Sequence, residues 1–559
     1  MIKILIFILF IICIGIIIHF VNTANKSKKI KSMISANWGK EPRRKYSIED
    51  MKSISSFFEN MTKSSPESYY IDNITWNDLD MDNIFKKLNS TMSSVGEEYL
   101  YYLLRKPEFS SQVLEERERI IEFFRNNKTA REKLMYLLAK LGKVRSINIT
   151  DYFYEENPKK SSKAIYYRLL AIMAGISTIL AFIKPDIGIP LFILSFITNI
   201  TIYYKTKTEI GIRLQSLSYI LNMLNTAKSI SLSEIEEISE ACEKLSLSYN
   251  RAKNIGKKSY NLFYSSSDPL MEYIKIAFLS EIIQYETLFN SIYKHREDLI
   301  SIYHIIGMLD SCIAIASYRN RLPQYAVPVL QSSKKNPNIH IYFKDLYHPL
   351  IKDPVANSLS TSTPVLITGS NASGKSTFLK TIAINAIFAQ TIHTCLAAEY
   401  SSSFFKIYTS MALKDSIENG ESYYIAEIKS LKRIIDSINS EMPLLCFVDE
   451  VLRGTNTIER IAASSQILYY ISKCNCLCIA ATHDLELTYI LESHFLNYHF
   501  QEKITDNEIK FDYKLYEGRS NSRNAIKLLK FFGYDNSIVQ SAEQKALDFN
   551  SHGKWSRLN

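Results

Sequence analysis

Residues 365–377 constrain the fold of this chain more than any other segment. The short apolar run Val365–Thr368 leads directly into a loop that contains Gly369 and Gly374, and an apolar helical pattern follows. A strand, a glycine-rich loop and a helix in this order place backbone N–H groups around a phosphate at the positive end of the helix. Because the chain has only 16 glycines in 559 residues, a chance glycine-rich turn is a poor alternative. The segment predicts a phosphate-binding loop in an α/β domain.

Two side chains of this loop are expected to have tasks of their own. Lys375 would neutralise the β- and γ-phosphates of ATP, and the Ser376 hydroxyl would ligate Mg²⁺. The other loop residues would contribute backbone N–H groups. The predicted phosphate-binding residues are Gly369, Ser370, Asn371, Ala372, Ser373, Gly374, Lys375, Ser376 and Thr377.

Two further strand ends carry polar groups that suit ATP hydrolysis. Leu444–Val448 is followed by Asp449 and Glu450. Asp449 would hold Mg²⁺ directly or through water, and Glu450 would act as the general base on the attacking water. His483 follows another strand candidate and can donate a hydrogen bond to the γ-phosphate or to that water. Each pattern alone is common, and a histidine at a strand end is more often structural. Together with the phosphate loop they predict a P-loop ATPase in which Glu450, His483 and Lys375 are catalytic.

The α/β pattern begins after Pro328. The strand candidates are Pro364–Thr368, Phe405–Met411, Leu444–Val448 and Cys476–Ala480. Cys474, Cys476 and Cys478 alternate along the last candidate, which indicates one face of a buried strand. A metal site is the alternative, but the triplet lacks nearby partner ligands.

The order of these motifs resembles the MutS family of DNA mismatch-repair ATPases, which are relatives of the ABC ATPases. The matching segments are the loop Gly369–Thr377, the run Asp449–Thr457, the triplet Ala481–His483, the pair His348–Pro349 and Asn357. The resemblance implies an α/β P-loop NTPase fold with an ABC-like ATPase domain, preceded by an all-α lever domain, with ATP and Mg²⁺ as cofactors. Residues 88–107 and 309–316 resemble the start and the end of that lever.

The segment Asp415–Ser422 has no evident part in the site of its own chain. In the family, a Gly-x-Ser turn at this position reaches the γ-phosphate of the partner subunit, and here the turn reads Gly420-Glu421-Ser422. The resemblance implies that Ser422 is a catalytic residue that acts in trans. The tail from Gly518 resembles the family's helical dimerisation segment. A homodimer is therefore expected.

Two parts of the family pattern have no counterpart here. Nothing before residue 76 resembles the domain that reads mismatches, and Phe57-Phe58-Glu59 is interpreted as a local apolar patch in a linker. An apolar hairpin stands where relatives insert a DNA clamp. DNA binding is therefore expected to rest on Lys and Arg contacts to phosphate, without mismatch specificity.

Three apolar runs predict membrane segments. Ile4–Val21 is interrupted only by His19 and is long enough for a spanning helix. A cleaved signal peptide is the alternative, although Val21–Ala24 is a poor cleavage site. Leu169–Ile183 and Ile187–Tyr204 flank a short polar break and predict a helical hairpin that crosses the membrane twice. A hairpin buried inside a soluble domain is the alternative for this pair.

The charge distribution predicts the topology. The net charge is 67 Lys+Arg minus 57 Asp+Glu, or +10. Eight basic residues lie between Lys26 and Lys45 with Glu41 as the one acid, directly after the first apolar run. The positive-inside rule then places the ATPase domain in the cytoplasm of a multi-pass cell-membrane protein. The basic stretch is either a clamp on anionic membrane lipids or a solvated linker that only sets the topology.

These inferences divide the chain into six parts. They are a transmembrane anchor (1–22), a basic linker (23–75), the first part of a helical lever (76–163), a transmembrane hairpin (164–204), the second part of the lever (205–330) and a MutS-type ATPase domain with C-terminal dimerisation helices (331–559). Two functions remain open. One is a membrane-anchored, dimeric, ATP-hydrolysing and DNA-binding protein related to mismatch repair. The other is a membrane-tethered, ATP-driven remodelling switch whose ligand is a protein or the membrane.

Overall fold

The chain forms two compact units that alternate along the sequence. The computed structural model describes residues 24–145, 149–154, 163–257, 269–331, 339–370, 373–411, 423–439, 441–504, 509–520, 526, 529, 531–555 and 557. The helical unit consists of the described parts of Met1–Ser68, Leu88–Leu103 and Arg117–Arg321. The α/β unit consists of the described parts of Tyr69–Lys87, Leu104–Glu116 and Leu322–Asn559. The predicted anchor (1–22) lies outside the described residues.

The helices are numbered here in chain order. They are α1 (24–37), α2 (Ile48–Ser64), α3 (Asn73–Asp78), α4 (Met81–Leu88), α5 (Ser94–Arg105), α6 (Ser111–Asn126), α7 (Lys128–Leu141), α8 (Asp151–Tyr154), α9 (Lys163–Ile183), α10 (Pro185–Ser231), α11 (Ser239–Lys257), α12 (Pro269–Ala277), α13 (Ser280–Lys294), α14 (Arg296–Arg319), α15 (Lys375–Thr391), α16 (Tyr423–Asp436), α17 (Thr457–Ser472), α18 (Leu485–Ile490) and α19 (Asn536–His552).

The strands all belong to the α/β unit. They are β1 (Val329–Gln331), β2 (Ile341–Leu346), β3 (Asn357–Thr361), β4 (Val365–Thr368), β5 (Glu399–Ser403), β6 (Lys406–Ser410), β7 (Leu444–Asp449), β8 (Cys476–Ala481), β9 (Leu496–Ile504) and β10 (Ile509–Glu517). The four predicted strands are confirmed as β4, β6, β7 and β8. Cys476 and Cys478 are buried in β8, as expected of a core strand, but the prediction is wrong for Cys474, which lies before the strand and is only half-buried.

The main sheet has six strands in the order β10-β9-β4-β8-β7-β6. Its strands are parallel from β9 to β6, and β10 is antiparallel at the edge. A second sheet has the order β1-β5-β2-β3. In a parallel sheet the carboxyl ends of neighbouring strands meet at one edge, which is where ligands bind in α/β folds. The loops after β4, β7 and β8 therefore converge.

Helix α14 is the central helix of the helical unit. Its Asp310 is buried and accepts hydrogen bonds from the backbone N–H groups of Met92 and Ser93, at 2.9 Å each, just before α5 begins. A Cβ at Gly96 would lie 2.1 Å from Asp310 Oδ2, so only glycine permits this approach. The packing thus joins the two segments that resemble the start and the end of a lever.

The segment 23–75 is not the linker that the sequence predicted. Helices α1 and α2 lie within it, and α3 begins in it. Phe57 is 1% exposed and packs against Tyr102 and Tyr303, with ring centroids 5.1 and 4.7 Å away, so it is a core residue rather than a local patch. Arg44 donates to both carboxylate oxygens of Glu97, at 2.8 and 2.6 Å. The prediction of a linker was wrong because the segment is rich in Ser and Lys. Few apolar residues mark the buried face of α2, namely Ile54, Phe57 and Phe58.

The predicted apolar hairpin exists as α9 and α10. In length and composition α9, α10 as far as Thr208, and α14 are able to cross a membrane. Only 17% of the apolar window is buried in α9 and in α10, against 72% in α14, so α14 is a core helix. Helix α10 continues for 47 residues to Ser231, and no break separates the hairpin from the predicted second part of the lever.

Candidate nucleotide-binding site

The loop after β4 has the backbone that a phosphate-binding loop requires. Gly369 and Gly374 have φ values of +144° and +108°, which side chains other than glycine rarely adopt. A Cβ at Gly369 would lie 2.7 Å from the carbonyl oxygen of Phe500, and Gly374 is the N-cap of α15. Asn371 and Ala372 lie outside the described residues. The two described glycines are therefore needed for the turn and for its close packing.

Lys375 folds back onto its own loop. Its Nζ donates to the carbonyl oxygens of Gly369 and Ser370, at 2.8 and 3.0 Å, and lies 3.3 Å from His483 Nε2. Burial lowers the pKa of Lys375 to about 8, despite the opposing effect of the Asp449 carboxylate nearby. An incoming phosphate anion would favour the charged form of this ammonium group.

Asp449 and Ser376 form the candidate Mg²⁺ position. The Ser376 side chain hydrogen bonds to Asp449 at the end of β7, and burial raises the pKa of the Asp449 carboxyl group. Asp449 Oδ1 is buried and has no hydrogen-bond partner in the part of the chain that the structure describes. Mg²⁺ prefers oxygen ligands and binds through one or two carboxylates together with substrate phosphates. An unpaired carboxylate oxygen beside a serine hydroxyl fits that ion.

Glu450 and His483 lie in contact, as their predicted roles require. His483 Nε2 is 2.7 Å from Glu450 Oε1, and Arg453 Nε is 2.7 Å from Glu450 Oε2. The hydrogen bond with His483, followed by nearby positive charges, lowers the pKa of Glu450. The backbone N–H of Glu450 donates to Ala481 at 2.9 Å, which ties the ends of β7 and β8 together. Glu450 is thus an ionised carboxylate with both oxygens engaged.

The site opens into a cavity of about 590 Å³ that polar and apolar residues line together. Lys375, Ser376 and Glu450 line it with Val355 and Tyr513, and Tyr513 lies beside Gly374 of the phosphate loop. Asn357 donates to the carbonyl of Tyr513 at 2.9 Å and accepts from the N–H of Leu515 at 2.8 Å. These bonds hold the irregular stretch of β10 that carries Tyr513.

His348 also lines this cavity, and its ring is held by a hydrogen bond from the backbone. Its Nδ1 accepts a hydrogen bond from the N–H of Leu350 at 3.2 Å. Burial, followed by the positive charge of Lys380, lowers the pKa of His348 to about 4, so the ring is neutral at physiological pH. The His348–Pro349 pair and Asn357 therefore shape the wall of the cavity, and the sequence alone did not show their contacts.

Glu427 is a residue of the site that the sequence analysis missed. It is 4% exposed on α16, and its carboxylate accepts from the backbone N–H groups of Leu452 and Arg453, the latter at 3.3 Å. Leu452 has a φ of +57°, and a Cβ at Gly454 would lie 3.0 Å from Tyr424 on the same helix. Helix α16 therefore holds the loop that follows Glu450. The sequence does contain a pattern that could have identified Glu427. Its carboxylate lies at helical spacing among the apolar residues Tyr424, Leu431 and Ile434, on the face of α16 that is expected to be buried.

The structure brings together Lys375, Ser376, Asp449, Glu450 and His483. The remaining predicted catalytic residue, Ser422, lies outside the described residues, in the segment just before α16.

Comparison with known proteins identifies the domain that carries this site. Residues 365–550 match the sequence profile of MutS domain V. The chain is 31% identical over 276 residues to MutS protein homolog 4 of Homo sapiens, which covers 46% of this chain and 28% of the human protein. It is 30% identical over 194 residues to the DNA mismatch repair protein MutS of Streptococcus uberis, which covers 34% of this chain and 23% of the bacterial protein. The matched part thus spans less than a third of either relative. The chain therefore carries a MutS-type domain V, which contains the phosphate loop and the Asp449–Glu450 pair.

Proposed function

We propose that this protein is a Mg²⁺-dependent ATPase of the MutS type. The observation that carries the proposal is the convergence of Lys375, Asp449, Glu450 and His483 at the carboxyl edge of the main sheet, where Lys375 and Glu450 line the cavity. The cavity has polar groups that suit phosphates and apolar and aromatic side chains, among them Val355, Phe500 and Tyr513, that suit a nucleotide base. The comparison with MutS domain V supports the same activity.

The geometry suggests how each side chain would act. Lys375 would exchange the carbonyl oxygens of Gly369 and Ser370 for the β- and γ-phosphates. Ser376 and Asp449 would hold Mg²⁺, which when bound neutralises phosphate charge. Glu450 would accept a proton from the attacking water at a carboxylate oxygen. Each of its oxygens keeps a second lone pair, so Glu450 could accept this proton while His483 and Arg453 hold the carboxylate in place.

Two substitutions test the activity. Lys375→Ala should abolish nucleotide binding, because the phosphate charge is no longer neutralised. Glu450→Gln should bind ATP with nearly unchanged affinity and turn it over at least about a hundredfold more slowly, as expected for loss of a general base. Phosphate release and binding of a fluorescent nucleotide measure the two effects. Glu441→Gln changes an exposed carboxylate and is the matched control. Wild-type turnover by Glu450→Gln would show that another group is the base.

The proposed ATPase acts as a dimer at the membrane. The Gly-x-Ser turn that ends at Ser422 supports a composite site with a partner subunit. The exposed apolar faces of α9 and α10, with lysines at the outer ends of the hairpin, support insertion into the cell membrane with the ATPase domain in the cytoplasm. Membrane lipids would then be direct partners of the hairpin.

Two ligands fit this motor. The bacterial relative is named a DNA mismatch repair protein, and this supports DNA as the ligand. The poorly buried hairpin favours the second candidate, an ATP-driven switch that acts on the membrane or on a membrane protein. DNA binding measured against salt concentration separates them, because phosphate contacts give a steep negative slope. We expect equal affinity for perfect and mismatched duplexes if DNA binds. A tenfold preference for a mismatch would show that a reading element exists.

A further inference from the structure

A sharp elbow between α12 and α13 packs against the apolar hairpin. The chain turns at Phe278 and Leu279, where Leu279 has a φ of +49° and is fully buried. The buried cluster at this contact contains Tyr167 of α9, Tyr203 of α10, and Ile276, Leu279 and Ile282 of the elbow. The elbow is therefore part of the same packed assembly as the hairpin.

Side-chain contacts show how far the elbow reaches along the hairpin. Phe278, at the tip of the elbow, lies 3.8 Å from the position that a Cβ at Gly175 of α9 would take. Arg168 of α9 hydrogen bonds at 3.3 Å to Thr287, which lies farther from the tip on α13. Gly175 is seven residues beyond Arg168. At about 1.5 Å per residue, the tip of the elbow lies roughly 10 Å closer to the hairpin turn than Arg168, the charged residue of α9 nearest to that turn.

The contacts with α10 give the same depth independently. Lys207 lies 3.5 Å from Glu281 near the start of α13, and Asn199 donates to the carbonyl oxygen of Ala277 at 2.7 Å. Asn199 is eight residues nearer to the hairpin turn than Lys207, or about 12 Å along the helix. Asn199 thereby satisfies a carbonyl at the end of α12, a group that lipid cannot hydrogen bond.

Two large side chains of α12 are exposed near the elbow. Tyr273 and Ile274 are 60% and 50% exposed. They lie about one turn before the tip, and the next apolar residue, Ile276, packs in the same cluster as Tyr203. Tyrosine side chains are enriched where the hydrocarbon core meets the headgroups. The exposed surface of α12 thus continues the apolar surface of the hairpin near its cytoplasmic end.

We propose that the elbow of α12 and α13 is a re-entrant element that dips roughly 10 Å into the cytoplasmic leaflet without crossing it, and that lipid covers Tyr273 and Ile274. This inference rests on the proposal that the hairpin spans the membrane. Helix α13 ends at Lys294 and α14 begins at Arg296. The elbow therefore attaches the central helix of the helical unit to the bilayer at a second point.

Depth-dependent fluorescence quenching tests the elbow in the full chain. An environment-sensitive fluorescent amino acid is introduced at position 274 and the protein is placed in nanodiscs that contain doxyl lipids. Position 176 on the hairpin is the positive control, and position 232, which is exposed beyond the hairpin, is the negative control. We expect quenching at position 274 to reach at least about half of that at position 176. The shallow 5-doxyl lipid should quench position 274 more strongly than the deep 12-doxyl lipid.

The outcomes separate the elbow from the membrane proposal. If position 176 is quenched but position 274 is quenched no more than position 232, the proposal for the elbow is wrong and the membrane-spanning hairpin is supported. A blue-shifted emission at position 274 without lipid quenching would show that protein covers it, and would also overturn the proposal. Absence of quenching at position 176 would instead refute membrane insertion itself. Stronger quenching of position 274 by the deep lipid would contradict the proposed depth.

Discussion

At the scale of single residues, Glu427 holds the loop that follows Glu450. Removing its carboxylate leaves the N–H groups of Leu452 and Arg453 without their acceptor and loosens the loop that positions Glu450. We expect Glu427→Ala to lower kcat about tenfold or more, or about 1.4 kcal/mol, with nucleotide affinity changed by less than about twofold. Glu427→Gln keeps an acceptor oxygen and should retain at least about a third of the activity.

Steady-state phosphate release and nucleotide titration measure this split. Asp436→Ala, an exposed change on the same helix, is the matched control and should behave as wild type. The residual turnover of the double variant Glu427→Ala/Glu450→Gln distinguishes a role through Glu450 from general destabilisation of the protein. If Glu427 acts through Glu450, its removal in that background should change the residual rate by less than about twofold. Equal losses of affinity and turnover, or fully additive effects, would contradict this role.

Lys375 predicts a pH dependence of nucleotide binding. Its pKa of about 8 means that the ammonium group is charged below pH 8 and loses its proton above it. Because phosphate binds the charged form, affinity for MgATP should be constant near pH 7 and should weaken as pH rises through 8, with proton uptake on binding. Calorimetry in two buffers of different ionisation enthalpy measures that uptake. Lys375→Arg keeps its charge and should lose the dependence; unchanged wild-type affinity between pH 7 and 9 would rule the coupling out.

At the scale of elements, the hairpin of α9 and α10 is the proposed attachment of the protein to the membrane. Its apolar side chains are exposed rather than packed, so transfer into lipid would be favourable. We expect a chain without residues 1–23 to remain in the membrane fraction after a high-salt wash. A reporter inserted at Asp186 should be external, and one fused after the C-terminus cytoplasmic. Complete release by the deletion would show instead that protein covers this hairpin.

At the scale of the whole molecule, the proposed trans role of Ser422 makes activity depend on dimerisation. Specific activity should rise with protein concentration. A mixture of Ser422→Ala and Lys375→Ala should be less active than wild type but more active than either variant alone, because each mixed dimer can form one intact composite site. Phosphate release from premixed and separate variants measures this. Turnover that is independent of concentration in a strict monomer would be incompatible with it.

The sequence by itself determined the elements that depend on local chemistry. The phosphate loop needs two glycines, a lysine and a serine in fixed order, and the ends of β7 and β8 carry their polar residues in sequence. Parallel strands then had to bring these groups to one edge. The other six strands, β1, β2, β3, β5, β9 and β10, were not predicted. Runs such as Glu399–Ser403 are largely polar and have little hydrophobic periodicity.

Only the tertiary structure decided which distant residues support these elements. Asp310 accepts hydrogen bonds from the backbone just before α5, and Phe57 of the predicted linker packs in the core of the helical unit. Glu427 accepts hydrogen bonds from the backbone that follows Glu450. Each contact joins parts of the chain that no local pattern connects. The physical reason is that a buried polar or aromatic group is stable only when its partner is present. Which partner it finds depends on how whole helices and strands pack, and this is not encoded in any short stretch of sequence.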